Sequence, residues 1–314
     1  MYAKTRKDAA AKLRAAIAER DGGVLTDAGK LLTKDYLRCW IDDIEGTIRP
    51  RSWDRCEQMC RVHLTPALGN VKLKALSPAH IQPLYRSKLA DGLAPGTIQH
   101  IHRTLSKALK AAVRRGLIPR NPCDAVDPPR PVREEIRPLT AAEVKRFLKA
   151  AAGDPYEPLY LLAVTTGLRQ GEILAIRWQD VDLSNGTVRI NRTLTTRNGR
   201  FSFNLPKSAK SRRTVCLTTE TVSALTLHRQ RQQEAALYRR ESLMFCTGLG
   251  TPINPSNLLQ RSFKPHLERA GLPDIRFHDL RHTCATLLLS RNVHPKIVSD
   301  LLGHASIQLT LDTY

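Results

Sequence analysis

Aromatic side chains are scarce in this chain: Phe, Trp and Tyr make up 5% of its 314 residues. Stacking of unpaired bases on an aromatic platform, the usual route to single-stranded nucleic acid, is poorly served by so few rings. Long apolar runs are missing as well. Segments such as Leu159–Val164 and Thr286–Leu289 fall far short of the roughly 20 residues that cross a bilayer. Met1 to Arg20 is Ala-rich and charged, without the apolar stretch of a secretory signal, so the cytoplasm is the expected compartment. There are seven cysteines, an odd number, with no C-x-x-C pair. Cys56 and Cys60 lie one helical turn apart and the others are scattered, so buried free thiols in a reducing environment are expected. The chain also has no P-loop and no acidic metal-binding cluster. Acidic residues are few: 29 Asp and Glu stand against 50 Lys and Arg, a formal net charge of +21. The cations run along the whole chain rather than in one tail. A folded protein with a broad basic surface calls for a polyanionic partner, with double-stranded nucleic acid first in line through its phosphate backbone. A merely basic soluble protein, such as a ribosome-associated factor, shares this composition.

The order of elements indicates more than one domain. Lys4 to Glu19 reads as one amphipathic helix ending near Asp21-Gly22-Gly23. Four helices follow between Thr26 and Gly116. They are Ala28–Ile44, Ser52–Thr65 stopped by Pro66 and Gly69, one opened by Ser77-Pro78, and Pro95 to Arg115 closed by Gly116. The last carries His100, His102, Arg103, Lys107, Lys110, Arg114 and Arg115 on its polar face. That is either a solvated face or a row of DNA backbone contacts. Pro119 to Pro138 holds six prolines and few apolar residues, and reads as a semi-rigid linker. Thr140 and Glu143 then form a capping box, and helices are expected at Glu157–Thr166 and about Gln170–Ile176. Thr187–Leu194, Phe201–Leu205 and Thr214–Leu217 read as strands, with Asn198-Gly199 as a hairpin turn. Lys207, Lys210, Arg212 and Arg213 lie between the last two. Helices resume at Thr219–Tyr238, Pro255–Ala270, His278–Ser290, Pro295–Leu302 and Ile307–Tyr314. The second half is thus expected to be mixed α+β with one small antiparallel sheet, since strands do not alternate with helices as in a doubly wound fold.

Three stretches carry chemistry. In His278-Asp279-Leu280-Arg281-His282, positions 278 and 281 share a helical face. A guanidinium fork with an imidazole beside it suits the non-bridging oxygens of a phosphate. Other readings are a structural His with a salt-bridged Arg, or a zinc pair of His278 and His282, although the H-E-x-x-H pattern is absent. In Thr166-Gly167-Leu168-Arg169-Gln170-Gly171-Glu172, a helix ends at Gly167 and another starts near Gln170. Arg169 therefore sits at a helix N-terminus, where backbone amides also favour an anion. Glu172 cannot bind phosphate; it orients a basic neighbour or caps the helix. Third, Leu301-Leu302-Gly303-His304 is followed ten residues later by Tyr314. A phenol with its ordinary pKa near 10 is a poor nucleophile, but two Arg and two His beside it favour the phenolate.

Together, Arg169, His278, Arg281, His304 and Tyr314 resemble the Arg, His-x-x-Arg, His, Tyr signature of the tyrosine recombinase (phage integrase) family. The blocks TGLRQGEILAIRW, HDLRHTCATLL and LGHASIQLTLDTY carry the likeness in the family's order. Lys207, in LPKSAKSRRTV, matches its hairpin lysine, with Lys210 as the rival, and Glu172 matches its acidic helper. Residues from about Thr26 to Gly116 resemble the family's all-α, SAM-like core-binding domain. The implied layout is an N-terminal helix over 1–23, a core-DNA-binding domain over 24–118, a linker over 119–138 and a catalytic domain over 139–314.

The resemblance implies a site-specific recombinase or integrase of a mobile element. Tyr314 attacks a DNA phosphate in line, Arg169 and Arg281 hold the non-bridging oxygens, and His278 and His304 add hydrogen bonds. His278 handles the tyrosine proton and Lys207 protonates the departing 5′-oxygen. A 3′-phosphotyrosine results, with no ATP, metal or other cofactor. The implied partners are double-stranded DNA, three further copies in a tetramer on DNA, and accessory DNA-bending or excision factors, with no membrane. Family members normally continue past the tyrosine, whereas Tyr314 is the final residue here, so the chain reads as shortened at that end. At the other end, Tyr2 to Arg20 looks like the helix that follows an arm-binding sheet, without the sheet. The alternatives are a truncated, catalytically impaired DNA-binding member of the same family and a strand-passing enzyme using the same nick chemistry.

Overall fold

The computed structural model describes residues 30–131, 137–197, 199–205, 212–303 and 306–311. The helix expected over Lys4–Glu19 lies outside them. The chain forms two compact units, Met1–Glu134 and Glu135–Tyr314. Among the described residues no helix is long and apolar enough to cross a membrane.

The first unit is helical. Helix α1 covers Thr33–Ile44, α2 Pro50–Met59, α3 Thr65–Leu68, α4 Pro78–Ala90 and α5 Pro95–Arg114. Helix α1 starts five residues later than its apolar pattern suggests, because Leu32 is extended and bridged to Lys72. The first helical amides instead find carbonyls outside the helix, Thr33 at Val71 and Lys34 at Gly69. That satisfies donors that a helix N-terminus leaves open. Helix α2 does not stop at Pro66. A π-helical turn over Cys60–Leu64 lets the Thr65 amide reach back five residues to Cys60, and the chain re-enters an α-turn that contains the proline. The second unit repeats this device at Pro265 after a π-turn over Leu259–Phe263. In both places the wider turn takes up the mismatch that a proline introduces into a helical ladder.

On α5, Ile98, Ile101, Leu105, Ala108, Leu109 and Ala112 are fully buried at helical spacing. They pack with Leu37, Trp40, Leu64 and Tyr85, each large side chain contributing about 1.5–3 kcal/mol by leaving water. The Pro-rich stretch is not all linker. A 3₁₀ turn over Pro122–Ala125 buries Pro122 and Cys123 on this unit, and Asn121 donates to the Ser106 hydroxyl at 3.1 Å. This folded start corrects the expectation of a linker running from Pro119.

The second unit holds helices α6 (Ala141–Ala150), α7 (Glu157–Thr166), α8 (Gln170–Ile173), α9 (Thr219–Glu234), α10 (Pro255–Leu258), α11 (Lys264–Arg269), α12 (Asp279–Leu289), α13 (Pro295–Leu302) and α14 (Ile307–Leu311). Helix α6 opens with the expected reciprocal cap between Thr140 and Glu143. Helix α7 is apolar all round and packs against α6, α9 and α12, as such a composition requires. Phe147, Tyr160, Phe263 and Phe277 meet edge-on or tilted at its flank.

The expected single sheet is two small antiparallel ones. Strands β1 (Val181–Asp182), β2 (Thr187–Ile190) and β5 (Arg213–Cys216) form one, in the order β1-β2-β5. Strands β3 (Thr193–Arg197) and β4 (Arg200–Asn204) form the other, with Arg197 opposite Arg200 and Gly199 in the left-handed region at φ 75°; Asn198 of the expected turn lies outside the described residues. The run read as one strand over Thr187–Leu194 breaks at Asn191 and Arg192. Both side chains are drawn to Asp180, Asn191 at 3.1 Å and Arg192 at 3.6 Å. The cysteines also differ from expectation: all seven are free, but only Cys60, Cys123 and Cys284 are buried, and Cys39 and Cys216 are exposed.

Candidate active site

The site is built where α7 ends. Gly167 closes that helix in the left-handed region at φ 61°, where a glycine sits without strain. A Cβ there would come within 2.5 Å of Leu302 and 3.4 Å of Cys284. The missing side chain therefore lets α12 and α13 close on the turn Gly167-Leu168-Arg169. Arg281, on α12 and only 3% exposed, donates from Nη1 to the Gly167 carbonyl at 3.0 Å. One of the two expected phosphate-binding arginines is thus fastened to the turn that carries the other.

Arg169 is the N-cap of α8. Glu172, 3% exposed, accepts from the Arg169 backbone amide at 3.1 Å and from its Nη1 at 2.9 Å. Both roles expected for this carboxylate, capping the helix and orienting a basic neighbour, are realised together. Glu172 also accepts from Arg213 Nη2 at 3.2 Å. Burial pushes the Glu172 carboxyl up, but the charges of Arg213 and Arg169 outweigh it and hold it below its usual range. It is a buried anion between two cations. Arg169 keeps 41% of its side chain exposed, which leaves it open to a ligand.

His278 is the N-cap of α12, and its carbonyl accepts from the Arg281 amide at 3.1 Å. Its ring meets that of His282 edge-on with centroids 5.2 Å apart. Burial first, then the nearby His282, Arg281 and Arg169, lower its pKa from 6.5 to about 4. The imidazole is therefore neutral at pH 7. Next to it Asp279 accepts three hydrogen bonds from Arg276, between 2.8 and 3.2 Å, which fixes the first turn of α12. Among the described residues no group of three or more His, Cys, Asp or Glu is placed to hold a metal ion.

The depressed value makes stability depend on pH. The unfolded chain takes up this proton near 6.5 and the folded one only near 4. The contribution is therefore complete above the unfolded value and is lost as pH falls from 6.5 toward 4. His278→Gln removes that component, so its melting temperature should fall less than the wild type's between pH 7 and pH 4.5. Equal falls would show that His278 carries no such shift.

The structure therefore brings Arg169, Glu172, His278 and Arg281 together around one turn. Lys207, Lys210, His304 and Tyr314 lie outside the described residues. Arg213 was read from sequence only as one of several basic residues between two strands. Its side chain is 8% exposed and packed against Glu172. A cation at the first residue of a β-branched strand is the faint signal it left.

Comparison with known proteins places the chain in a family. The family described as Phage integrase family matches residues 137–314, and Phage integrase, N-terminal SAM-like domain, matches residues 34–90. A tyrosine recombinase XerC-like protein of Caldanaerobacter subterraneus is 31% identical, over all of this chain and 86% of its own length. The ICEBs1 integrase of Bacillus subtilis is 26% identical, over 88% of this chain and 77% of its own length. Among solved structures, the fold is similar to that of the Tn1549 transposon integrase in complex with a circular intermediate DNA. The TM-score is 0.78 at 21% identity, covering 90% of this chain and 95% of that one. A lambda integrase dimer bound to a COC′ core site gives 0.67 at 19% identity, covering 89% of this chain and 97% of that one. With a family match over residues 137–314 and a relative 31% identical over all of this chain, this chain belongs to the phage integrase family of tyrosine recombinases.

Proposed function

We propose that the chain is a site-specific recombinase of a mobile element that cleaves and rejoins duplex DNA through a 3′-phosphotyrosine link at Tyr314. The observation that carries this reading is the fastening of Arg281 to the carbonyl of Gly167, two residues before Arg169. Two guanidinium groups 112 positions apart in sequence are thereby gathered at one anion-binding turn. In the proposed step the Tyr314 oxygen bonds to phosphorus while the bond from phosphorus to the 5′-oxygen breaks. The neutral His278 takes the phenol proton, and Lys207 gives a proton to the departing oxygen. Arg169, Arg281 and His304 hold the non-bridging oxygens as charge builds on them, the largest electrostatic gain such a site offers. Because the phosphodiester is conserved in the protein link, a 5′-hydroxyl from a partner duplex reverses the step, and neither ATP nor a metal is needed.

The helical unit serves as the core-DNA-binding domain and residues 139–314 as the catalytic domain. On the former, His102, Arg103, Lys107, Lys110, Arg114 and Arg120 line a groove with Asp124 as its one carboxylate. That is the charge balance of a surface for a phosphate backbone. Working as a tetramer on double-stranded DNA in the cytoplasm, helped by DNA-bending or excision factors, completes the proposal. The names of the relatives favour recombination over the binding-only alternative.

The test uses a nicked duplex carrying the sequence that the protein itself selects from a random pool. The strand beyond the nick diffuses away after cleavage, so the link to protein is trapped. A covalent band should form with the wild type and vanish in Tyr314→Phe. Tight binding without a band from the wild type would refute strand cleavage and support the binding-only alternative.

A further inference from the structure

We propose that Arg213 is a positioning residue for strand cleavage, one that couples the Arg169–Glu172 pair to the turn leading into His304. The inference rests on the function proposed above. Arg213 opens β5, opposite Ile190 of β2, and its side chain is 8% exposed. It lies beneath the site rather than in it. From this one guanidinium, Nε donates to the Leu301 carbonyl at 2.7 Å and Nη2 to Glu172 at 3.2 Å. The face of the group lies along Gly303, whose absent Cβ would sit 3.0 Å from Nη1 and 3.2 Å from Cζ. Gly303 ends α13 in the left-handed region at φ 68°, so it offers the bare backbone against which a flat group can rest. His304 is the next residue in the chain.

Arg213 thus links two parts of the sequence that the proposed chemistry needs in register. On one side Glu172 holds the Arg169 side chain at 2.9 Å. On the other is the last turn of α13. A planar fork with separately aimed donors makes both contacts at once, whereas the single ammonium of a lysine keeps the charge without the geometry. The positive charge also has a use. Without it, Glu172 would draw on Arg169 alone and compete with a phosphate for that guanidinium.

A purely structural role predicts loss of stability and of rate in step; a positioning role separates them. Single-turnover cleavage of the selected nicked duplex, with protein saturating, is measured alongside the binding curve and the melting temperature. Arg213→Ala should cleave about 10²-fold more slowly, the scale of a misplaced reacting group. Its DNA affinity should stay within about threefold of the wild type's, as expected when only the chemical step is affected. Arg213→Lys should melt close to the wild type and yet cleave nearly as slowly as the alanine variant. If Arg213→Ala does not fold, the lysine variant alone decides. Combining Arg213→Ala with Glu172→Gln should cost less than the product of the separate losses, because both cut the same link. Wild-type cleavage rates in Arg213→Lys, or losses that multiply in the double variant, would overturn the inference. Absence of an adduct with the unaltered protein would instead overturn the proposed function, and is seen before any variant is compared.

Discussion

Arg281→Ala is expected to lower single-turnover cleavage by about 10³-fold or more, the range found when a transition-state cation is removed. Arg281 is 3% exposed, so its charge acts in surroundings where electrostatic interactions are stronger than in water. Tied by Nη1 to the Gly167 carbonyl, it is held in place before a substrate arrives. Little reorganisation is then needed as charge develops on the phosphate. Binding should suffer far less, because most of the affinity for a duplex comes from many backbone contacts spread over the protein. Arg281→Lys keeps the charge and loses the fork, and should recover only part of the rate. Cleavage by Arg281→Ala within about tenfold of the wild type would remove this residue from the proposed transition-state clamp, since even one lost donor ordinarily exceeds that.

Glu172→Ala should destabilise the second unit by about 3 kcal/mol, the lower end of the range for stripping one partner from a buried ion pair. Its side chain is 4% exposed and that of Arg213 8%. The substitution therefore leaves a nearly buried guanidinium facing Arg169 without the intervening anion. For a unit of this size the change corresponds to a fall of about 6–12 °C in melting temperature. Arg213 keeps its bond to the Leu301 carbonyl, which is why the expected cost is not larger. Glu172→Gln retains volume and an acceptor oxygen and should fall between the two. A loss under about 1 kcal/mol for Glu172→Ala, no more than an exposed ion pair gives, would mean that Arg169 and Arg213 are held by other contacts.

Local signals in the sequence gave away most of what positions this site. The turn at Gly167, the N-cap position of Arg169, the reciprocal cap of Thr140 with Glu143 and the pairing of β3 with β4 all depend on residues within a few positions of one another. Each therefore reads directly from side-chain type. Features set by distant contacts did not show. The strand expected over Thr187–Leu194 divides between two sheets because Asp180 captures Asn191 and Arg192, and a lone Asn without a following Gly or Pro is a weak mark of that break. Pro66 reads as a stop signal, but a π-turn one residue earlier carries the helix through. Arg213 finds its carbonyl partner 88 positions away at Leu301, and nothing beside it in the chain points there. His278 and Arg281 were legible as a pair because one helical turn brings them together. That Arg281 would be anchored to the Arg169 turn depends on the packing of α12 against α7, which only the folded chain shows.

The proposed strand cleavage depends on the phenol of Tyr314. The most direct measurement digests the trapped protein–DNA adduct and maps the modified peptide by mass spectrometry. The prediction is a single nucleotide-bearing peptide with the 3′-phosphate on Tyr314. An adduct on any other residue, or one that persists in Tyr314→Phe, would contradict it.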